Sequence, residues 1–136
     1  MELKYNSSQR REYLVMTDKI GHNWMQVFQG NPEFYSAAYW DLFTGIWRKD
    51  KPVRKTDALK FMQAIKSAQT AGKYLDTAIA QGFLREEDNP KDARSKLVAL
   101  SADMRQRLDR FFDLAVQELC KASKSVLSKG PCPDEP

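Results

Sequence analysis

The sequence lacks the long apolar run that a membrane-spanning helix requires. Such a helix needs about 18 or more mainly apolar residues in succession, and no such run occurs among the 136 residues. Residues 1–13 are polar and contain no apolar core of a secretory signal. We therefore expect a cytoplasmic protein without a membrane partner.

The sequence is also poor in the residues that build disulfide frameworks and metal sites. Cys120 and Cys132 are too few for a disulfide framework, and His22 is the only histidine. One histidine and two cysteines that are distant in sequence do not supply a zinc site. We expect two free thiols in a reducing cytoplasm, with a redox switch as the alternative, and neither a metal nor a cofactor.

Patterns of catalytic residues are missing as well. The sequence contains no glycine-rich phosphate loop and no nucleophile with a histidine partner. The acidic residues Glu86, Glu87 and Asp88 are predicted to form a solvated turn rather than a catalytic pair. The sequence therefore predicts a binding protein and not an enzyme.

Positive charge is concentrated in one window of the chain. Residues 48–73 hold eight basic residues against two acidic ones, whereas the whole chain carries a net charge of +4. The basic residues are Arg48, Lys49, Lys51, Arg54, Lys55, Lys60, Lys66 and Lys73. Clustered positive charge is typical of a phosphate-binding face, and a solvated lysine-rich surface is the alternative.

Apolar residues recur at helical spacing in five segments. The predicted helices cover residues 7–29, 31–47, 56–66, 68–81 and 101–127. Asn31 and Pro32 begin the second helix as a capping residue and a first-turn proline. Ser67 and Ser101 are predicted N-caps, and Gly82 is predicted to end the fourth helix in a left-handed conformation.

Between the fourth and fifth helices the apolar pattern becomes that of extended chain. A short strand at 83–85, turn residues at 88–92 and a second strand at 94–100 predict a hairpin. The predicted fold is therefore mainly α with a small β-hairpin wing. Its winged helix-turn-helix core covers residues 56–101.

The wing region resembles a known family. Its motifs are Gly82-Phe83-Leu84, the turn Asp88-Asn89-Pro90-Lys91, Asp92-Ala93-Arg94 and Leu97-Val98-Ala99-Leu100-Ser101. Together with the helix order, these motifs resemble the MarR family of bacterial transcriptional regulators. The resemblance implies a single winged-helix domain, residues 1–128, that forms homodimers through helices at 7–29 and 101–127. The remaining residues, 129–136, are rich in proline, and we expect a disordered tail.

The resemblance also implies a DNA-binding surface made of two parts. The fourth helix would enter a major groove, and the hairpin would reach the adjacent minor groove with Arg94 at its tip, oriented by Asp92. Polar side chains on a helix suit base edges and phosphates, and an arginine suits a narrow minor groove. The predicted DNA-binding residues are Lys66, Gln69, Thr70, Lys73, Tyr74, Thr77, Lys91, Asp92, Arg94 and Lys96.

The predicted function is that of a sequence-specific regulator which binds double-stranded DNA as a homodimer on a pseudo-palindromic operator. Because the acidic residues 86–88 would repel phosphate, the alternative is a winged-helix dimer that serves as a protein-interaction module with weak or no DNA binding. The resemblance further implies a small aromatic effector. Its candidate ligand-binding residues are Trp24, Tyr39 and Trp47, which as aromatic residues also suit a core or a dimer interface.

Overall fold

The computed structural model describes residues 2–133, and within them the chain forms five α-helices and one small sheet. The helices are α1 (Ser7–Val27), α2 (Ala37–Lys49), α3 (Lys55–Phe61), α4 (Ala68–Ala80) and α5 (Ala102–Lys129). The strands are β1 (Val53–Arg54), β2 (Leu84–Asp88) and β3 (Lys96–Leu100). The prediction of a mainly α fold with a hairpin wing is confirmed. None of the helices in this part of the chain is long and apolar enough to cross a membrane.

The described chain divides into two compact units. Unit 1 contains the residues up to Gly30 and those from Asp109 onward, and so holds α1 and most of α5. Unit 2 contains residues Asn31–Leu108, with α2, α3, α4, the sheet and the first turns of α5.

Unit 1 has an aromatic cluster at its centre. The ring of Trp24 lies 5.0 Å from that of Phe28 and 5.2 Å from that of Phe111, both in edge-to-face geometry. All three side chains are buried. Edge-to-face contact is a favoured arrangement of aromatic rings, and it ties α1 to α5.

A polar clasp joins the start of α1 to the end of α5. Asn6 and Gln9 form a capping box, in which each side chain accepts a hydrogen bond from the other residue's backbone N–H, at 2.8 and 3.0 Å. The Asn6 amide also donates to the Lys129 carbonyl at 2.9 Å. The Gln9 amide donates to the carbonyls of Val126 at 3.2 Å and Pro131 at 3.0 Å. Gln9 is only 3% exposed, so the clasp satisfies a buried polar side chain, as buried polar groups require.

The end of the chain departs from its predicted boundary. The sequence predicts a helix end near residue 127, but α5 continues to Lys129. Of the predicted tail, residues 134–136 lie outside the described residues. Cys120 and Cys132 are both exposed, and no disulfide joins them.

α2 runs through the core of unit 2. Leu42, Phe43 and Ile46 are at most 1% exposed. Gly45, on the same helix, faces α3 so closely that a Cβ atom there would lie 2.6 Å from ring atoms of Phe61. The absence of a side chain at this glycine is therefore what permits the close contact of α2 with α3.

The sheet of unit 2 is antiparallel, with strand order β1-β3-β2. Val53 pairs with Val98, and Asp88 pairs with Lys96 at the other end of the hairpin. Leu84 and Val98 are buried and attach the hairpin to the core. The prediction of a two-stranded hairpin missed β1, because this strand is only two residues long and its partner lies more than forty residues later in the sequence.

Three predicted boundaries in unit 2 are wrong by three residues or more. The second helix does not begin at Asn31: that residue caps only the 3-10 turn Pro32–Phe34, and Ser36 caps α2 by accepting from the Tyr39 N–H at 3.3 Å. The third helix ends at Phe61 instead of residue 66, because Met62 leaves the helical conformation. Residues 86–88 form part of β2 and not a turn.

The end of α4 confirms its prediction. Gly82 adopts a φ of 77°, a left-handed conformation that costs a glycine little. Its N–H donates to the Ile79 carbonyl at 3.0 Å, and the Phe83 N–H donates to the Ala78 carbonyl at 3.1 Å. This pair of bonds is the Schellman arrangement, which stops a helix and turns the chain sharply. Here it directs the chain from α4 into the hairpin.

Candidate nucleic-acid interface

α4 presents the polar residues of the predicted recognition face to solvent. Gln69, Thr70 and Lys73 are exposed. On the opposite side of the helix, Ala71, Leu75 and Ala78 are at most 2% exposed and hold α4 to the core of unit 2. The helix begins at Ser67, whose hydroxyl accepts from the Thr70 N–H at 3.3 Å.

Two predicted recognition residues are turned partly toward the core. Tyr74 and Thr77 are half-buried, and both contact Tyr39 of α2. The Tyr39 hydroxyl donates to the Tyr74 carbonyl at 3.1 Å, and the two rings meet edge to face at 5.1 Å. Burial raises the pKa of Tyr39 to about 12, against the opposing effect of its hydrogen bond with Thr77. Tyr74 and Thr77 therefore also fix the orientation of α4.

The connection between β2 and β3, residues 89–95, is called the wing loop here. It is shaped by two side-chain acceptors: Asn89 accepts from the Lys91 N–H at 3.0 Å, and Asp92 accepts from the Arg94 N–H at 3.0 Å. Such bonds from Asn and Asp to the backbone two residues later stabilise tight turns. Lys91, Asp92 and Arg94 are all exposed.

The predicted role of Asp92 takes a different form in the structure. Asp92 contacts the backbone of Arg94 and not its guanidinium. Among residues 2–133 no carboxylate lies within ion-pair distance of that guanidinium. Asp92 thus fixes the backbone from which the Arg94 side chain extends into solvent.

Each of the three acids that argued against DNA binding has a cationic partner. Glu86 accepts from the Lys55 ammonium at 2.9 Å, and Glu87 pairs with Arg85. Asp88 pairs with Lys96 across the two strands. The negative charge of β2 is therefore matched by a positive charge beside every acid.

These ion pairs shift the pKa values of two of the groups on the wing. The hydrogen bond from Lys96 holds the pKa of the Asp88 carboxyl below its ordinary value, and the same bond raises the pKa of Lys96. Lys96 is a predicted DNA-binding residue, and its charge is shared with Asp88. Lys66 and Lys91 are exposed and, within residues 2–133, have no acidic partner.

Lys55 was not singled out from the sequence, although it connects three elements of unit 2. It begins α3, lies 2.9 Å from Glu86 of β2 and lies 3.6 Å from Asp76 of α4. The hydrogen bond with Glu86 raises the pKa of Lys55. The sequence shows only that Lys55 belongs to the basic window, because its partners Asp76 and Glu86 lie 21 and 31 residues later.

The candidate effector residues belong to different units. Trp24 is 8% exposed within the aromatic cluster of unit 1. Tyr39 is 2% exposed in unit 2, and Trp47, also in unit 2, is half-buried. Within residues 2–133, no group of three or more His, Cys, Asp and Glu side chains is arranged to hold a metal ion.

Several solved structures resemble the fold of this chain. A transcriptional regulator from Thermotoga maritima superposes with a TM-score of 0.60 at 14% identity, over 86% of this chain and 79% of that one. A mutant MarR from E. coli complexed with operator DNA gives 0.53 at 19% identity, over 84% and 79%. The chain has the MarR fold. BpsR from Bordetella bronchiseptica, whose DNA binding is regulated by 6-hydroxynicotinic acid, gives 0.50 at 20% identity, over 88% and 84%.

Comparison by sequence gives no such relationship, since no protein-family model and no curated protein matches the chain. Many of the solved structures that resemble this chain are MarR-family transcriptional regulators and not enzymes. The MarR fold here brings α4 and the wing loop together in one compact unit.

Proposed function

We propose that the protein is a sequence-specific, DNA-binding transcriptional regulator that acts in the cytoplasm as a homodimer and has no enzymatic activity. The observation that carries this proposal is the arrangement of unit 2. It exposes Lys73 on α4 and Arg94 on the wing loop, while every acid of β2 is paired with a cation.

The two exposed parts suit the two grooves of DNA. A major groove admits one α-helix, and Gln69, Thr70 and Lys73 can then meet base edges and phosphates. The N-terminus of α4, at Ser67, also directs backbone N–H groups toward a phosphate. The exposed Arg94 guanidinium suits a narrow minor groove, where the negative potential is concentrated.

The ion pairs of β2 weaken the case for the alternative function. A protein-interaction module was suggested by the acidic residues 86–88, because unpaired acids would repel the phosphate backbone. Lys55, Arg85 and Lys96 are paired with these acids. The positive charges therefore largely offset the repulsion between the acids and phosphate. A regulator that binds DNA is therefore the better proposal.

Exposed apolar side chains on α1 and α5 support the homodimer. These residues are between 43% and 62% exposed, and they are Tyr13, Leu14, Leu114, Val116 and Leu119. Exposed apolar side chains that form a contiguous patch commonly mark a protein contact. We propose that residues 1–128 act as one functional domain whose first and last helices pair with a second copy. A dimer then requires two DNA half-sites whose centres lie about one helical turn, roughly 34 Å, apart.

A small aromatic effector is part of the proposal, by analogy with the regulation of BpsR by 6-hydroxynicotinic acid. Of the candidate residues, Trp24 and Tyr39 are buried, so a ligand that contacts them must first open the packing of their units. Trp47 is half-buried and is the accessible candidate. Quenching of tryptophan fluorescence by phenols and aromatic acids tests this part, and no response across a broad set would contradict it.

DNA binding is tested by selecting duplexes from a random pool and measuring the affinity of the selected sequence at several salt concentrations. We expect Lys73→Ala to reduce the slope of log affinity against log salt by about 0.9, the contribution of one phosphate contact. Arg94→Ala should weaken binding and relax the preference at the positions that flank each half-site.

The matched control is Lys4→Ala, which removes an exposed lysine that precedes α1 in unit 1. It should leave the affinity and the salt slope unchanged. If the Lys73→Ala/Arg94→Ala double variant binds the selected duplex as tightly as the wild type, the assigned surface is wrong. If the wild type binds no duplex even at low salt, the protein-interaction alternative replaces the proposal.

A further inference from the structure

Unit 2 contains a groove of about 710 Å³ beside the edge strand β1. Its walls come from the end of α2, from β1, from α3 and from the first residues of the wing loop. The volume lies within the range of roughly 300 to 1,000 Å³ that is usual for small-molecule sites. The groove contains none of the predicted recognition residues of α4.

The rim of the groove is strongly cationic. Five basic side chains line it, against the single acid Asp57. The basic residues are Lys49, Lys51, Arg54, Lys60 and Lys91. All five are exposed, so their charged groups can move toward a ligand.

The floor of the groove is apolar. It is formed mainly by Pro52, Val53, Phe61 and Leu97. Val53 is only 8% exposed, and Phe61 is held in place by its close contact with Gly45 of α2. The floor therefore belongs to the packed core of unit 2 and offers a firm apolar surface.

The cations at the rim differ from the three cations that stand beside the acids of β2. Lys55, Arg85 and Lys96 each have a carboxylate partner on β2. At the rim, by contrast, Lys49, Lys51, Lys60 and Lys91 have no acidic partner among the residues that the structure describes, and Arg54 lies 3.9 Å from Asp57. Because like charges repel, a group of unpaired lysines is stabilised by an anion that binds among them.

We propose that this groove binds a small organic anion. Its apolar body, aromatic or aliphatic, lies on the floor, and its carboxylate, sulfonate or phosphate group is held by the rim lysines. The ligand also contacts the wing loop at Pro90 and Lys91. The proposal goes beyond DNA binding and does not depend on it.

The test uses two fluorescent probes that differ in one group. 8-Anilinonaphthalene-1-sulfonate carries an anionic sulfonate, and N-phenyl-1-naphthylamine has the same aromatic body without it. We expect Lys51→Glu/Lys60→Glu to weaken binding of the sulfonate probe about tenfold, because two nearby charges are reversed. Affinity for the neutral probe should stay within about twofold, a change worth under roughly 0.4 kcal/mol.

The matched control reverses two exposed lysines of unit 2 that do not line the groove, in Lys66→Glu/Lys73→Glu. This variant should bind both probes as the wild type does. The site is also located directly, without mutation, from amide chemical shifts of the wild-type protein. The sulfonate probe should shift the signals of Val53, Arg54 and Lys91 and leave those of α4 in place.

Three outcomes overturn the proposal. Equal loss of both probes in Lys51→Glu/Lys60→Glu would show that the rim lysines do not hold the sulfonate. Shifts confined to residues outside the groove would show that the anion binds elsewhere. If the sulfonate probe does not bind, and the same variant lowers the salt slope for duplex DNA by about two, the rim holds DNA phosphates instead. Failure of DNA binding in the wild type would contradict the proposed function but leave this test unaffected.

Discussion

A single methyl group at Gly45 is expected to disturb the contact between α2 and α3. In Gly45→Ala the new Cβ would lie 2.6 Å from two ring atoms of Phe61 and 3.0 Å from its Cβ. Carbon atoms in favourable contact are about 3.5 to 4.0 Å apart, so the ring must retreat by about 1 Å. Rotation of the side chain cannot move the Phe61 Cβ, so the backbone of α3 must shift as well.

The size of the effect follows from two opposing contributions. Overpacking a core costs about 1–3 kcal/mol, and contact with both the ring and the Cβ of Phe61 places Gly45→Ala near the upper end. Replacing glycine by alanine inside a helix contributes about 1 kcal/mol in the other direction. We expect a net loss of about 2 kcal/mol of unfolding free energy, or a Tm lower by roughly 6 °C for a chain of this size.

The assay is thermal and urea unfolding followed by circular dichroism. The matched control is Gly72→Ala in α4, where an added Cβ would meet nothing within 4 Å. It should stabilise the protein by about 1 kcal/mol through helix propensity alone. Adding Phe61→Leu to Gly45→Ala should recover part of the loss, a coupling that a double-mutant cycle isolates. If Gly45→Ala is as stable as Gly72→Ala, the close contact of α2 with α3 does not exist in solution.

Three further predictions concern contacts made by polar side chains. Gln9→Ala should cost about 1–3 kcal/mol in urea unfolding, because it leaves partly buried carbonyls of the clasp without a donor, whereas the exposed Gln26→Ala should change little. Lys96→Met should raise the pKa of Asp88 toward its ordinary value in a carboxyl NMR titration. In the wild type, the stability that this ion pair contributes is lost as the pH falls through the lowered pKa of Asp88. Tyr39→Phe should remove the component titrating near 12 from the ultraviolet absorbance and lessen the fall in stability between pH 10 and 12, where the unfolded tyrosine ionises first.

Opposite results would contradict the contacts behind these predictions. Equal unfolding free energies of Gln9→Ala and Gln26→Ala would show that the clasp does not stabilise unit 1. An Asp88 pKa unchanged by Lys96→Met would mean that the ion pair is absent in solution. A tyrosine component near 12 that persists in Tyr39→Phe would belong to a different residue.

The parts of the fold that depend on local sequence could be predicted. Ser67 and Gly82 set the ends of α4 through bonds to residues within a few positions of them, so capping rules located this helix well. The second helix was misjudged by the same rules. Asn31-Pro32 is a strong start signal, but a second cap at Ser36 follows and the first helical turn is not continued.

The missed features depend on partners that are distant in sequence. β1 is a strand only because Val53 pairs with Val98, and two residues show no periodicity. The acids of β2 were expected to repel DNA because their pairing with cations is not visible in the sequence. Lys55, the partner of Glu86, lies 31 residues earlier in the chain. The wing motif itself was correctly located, since Asp92 and Arg94 are joined by a local bond. The assignment of individual residues to DNA stays a prediction.

The clasp at the chain ends has a consequence for how the protein is made. Its hydrogen bonds connect residues 117 to 123 positions apart, whereas unit 2 is one continuous stretch, Asn31–Leu108. A ribosome produces the chain from the N-terminus at roughly 5–20 residues per second, and compact stretches fold as they emerge. All of unit 2 is therefore synthesised before the residues of α5 that complete the clasp. We therefore expect α4 and the wing loop to fold before the clasp joins α1 to the end of α5.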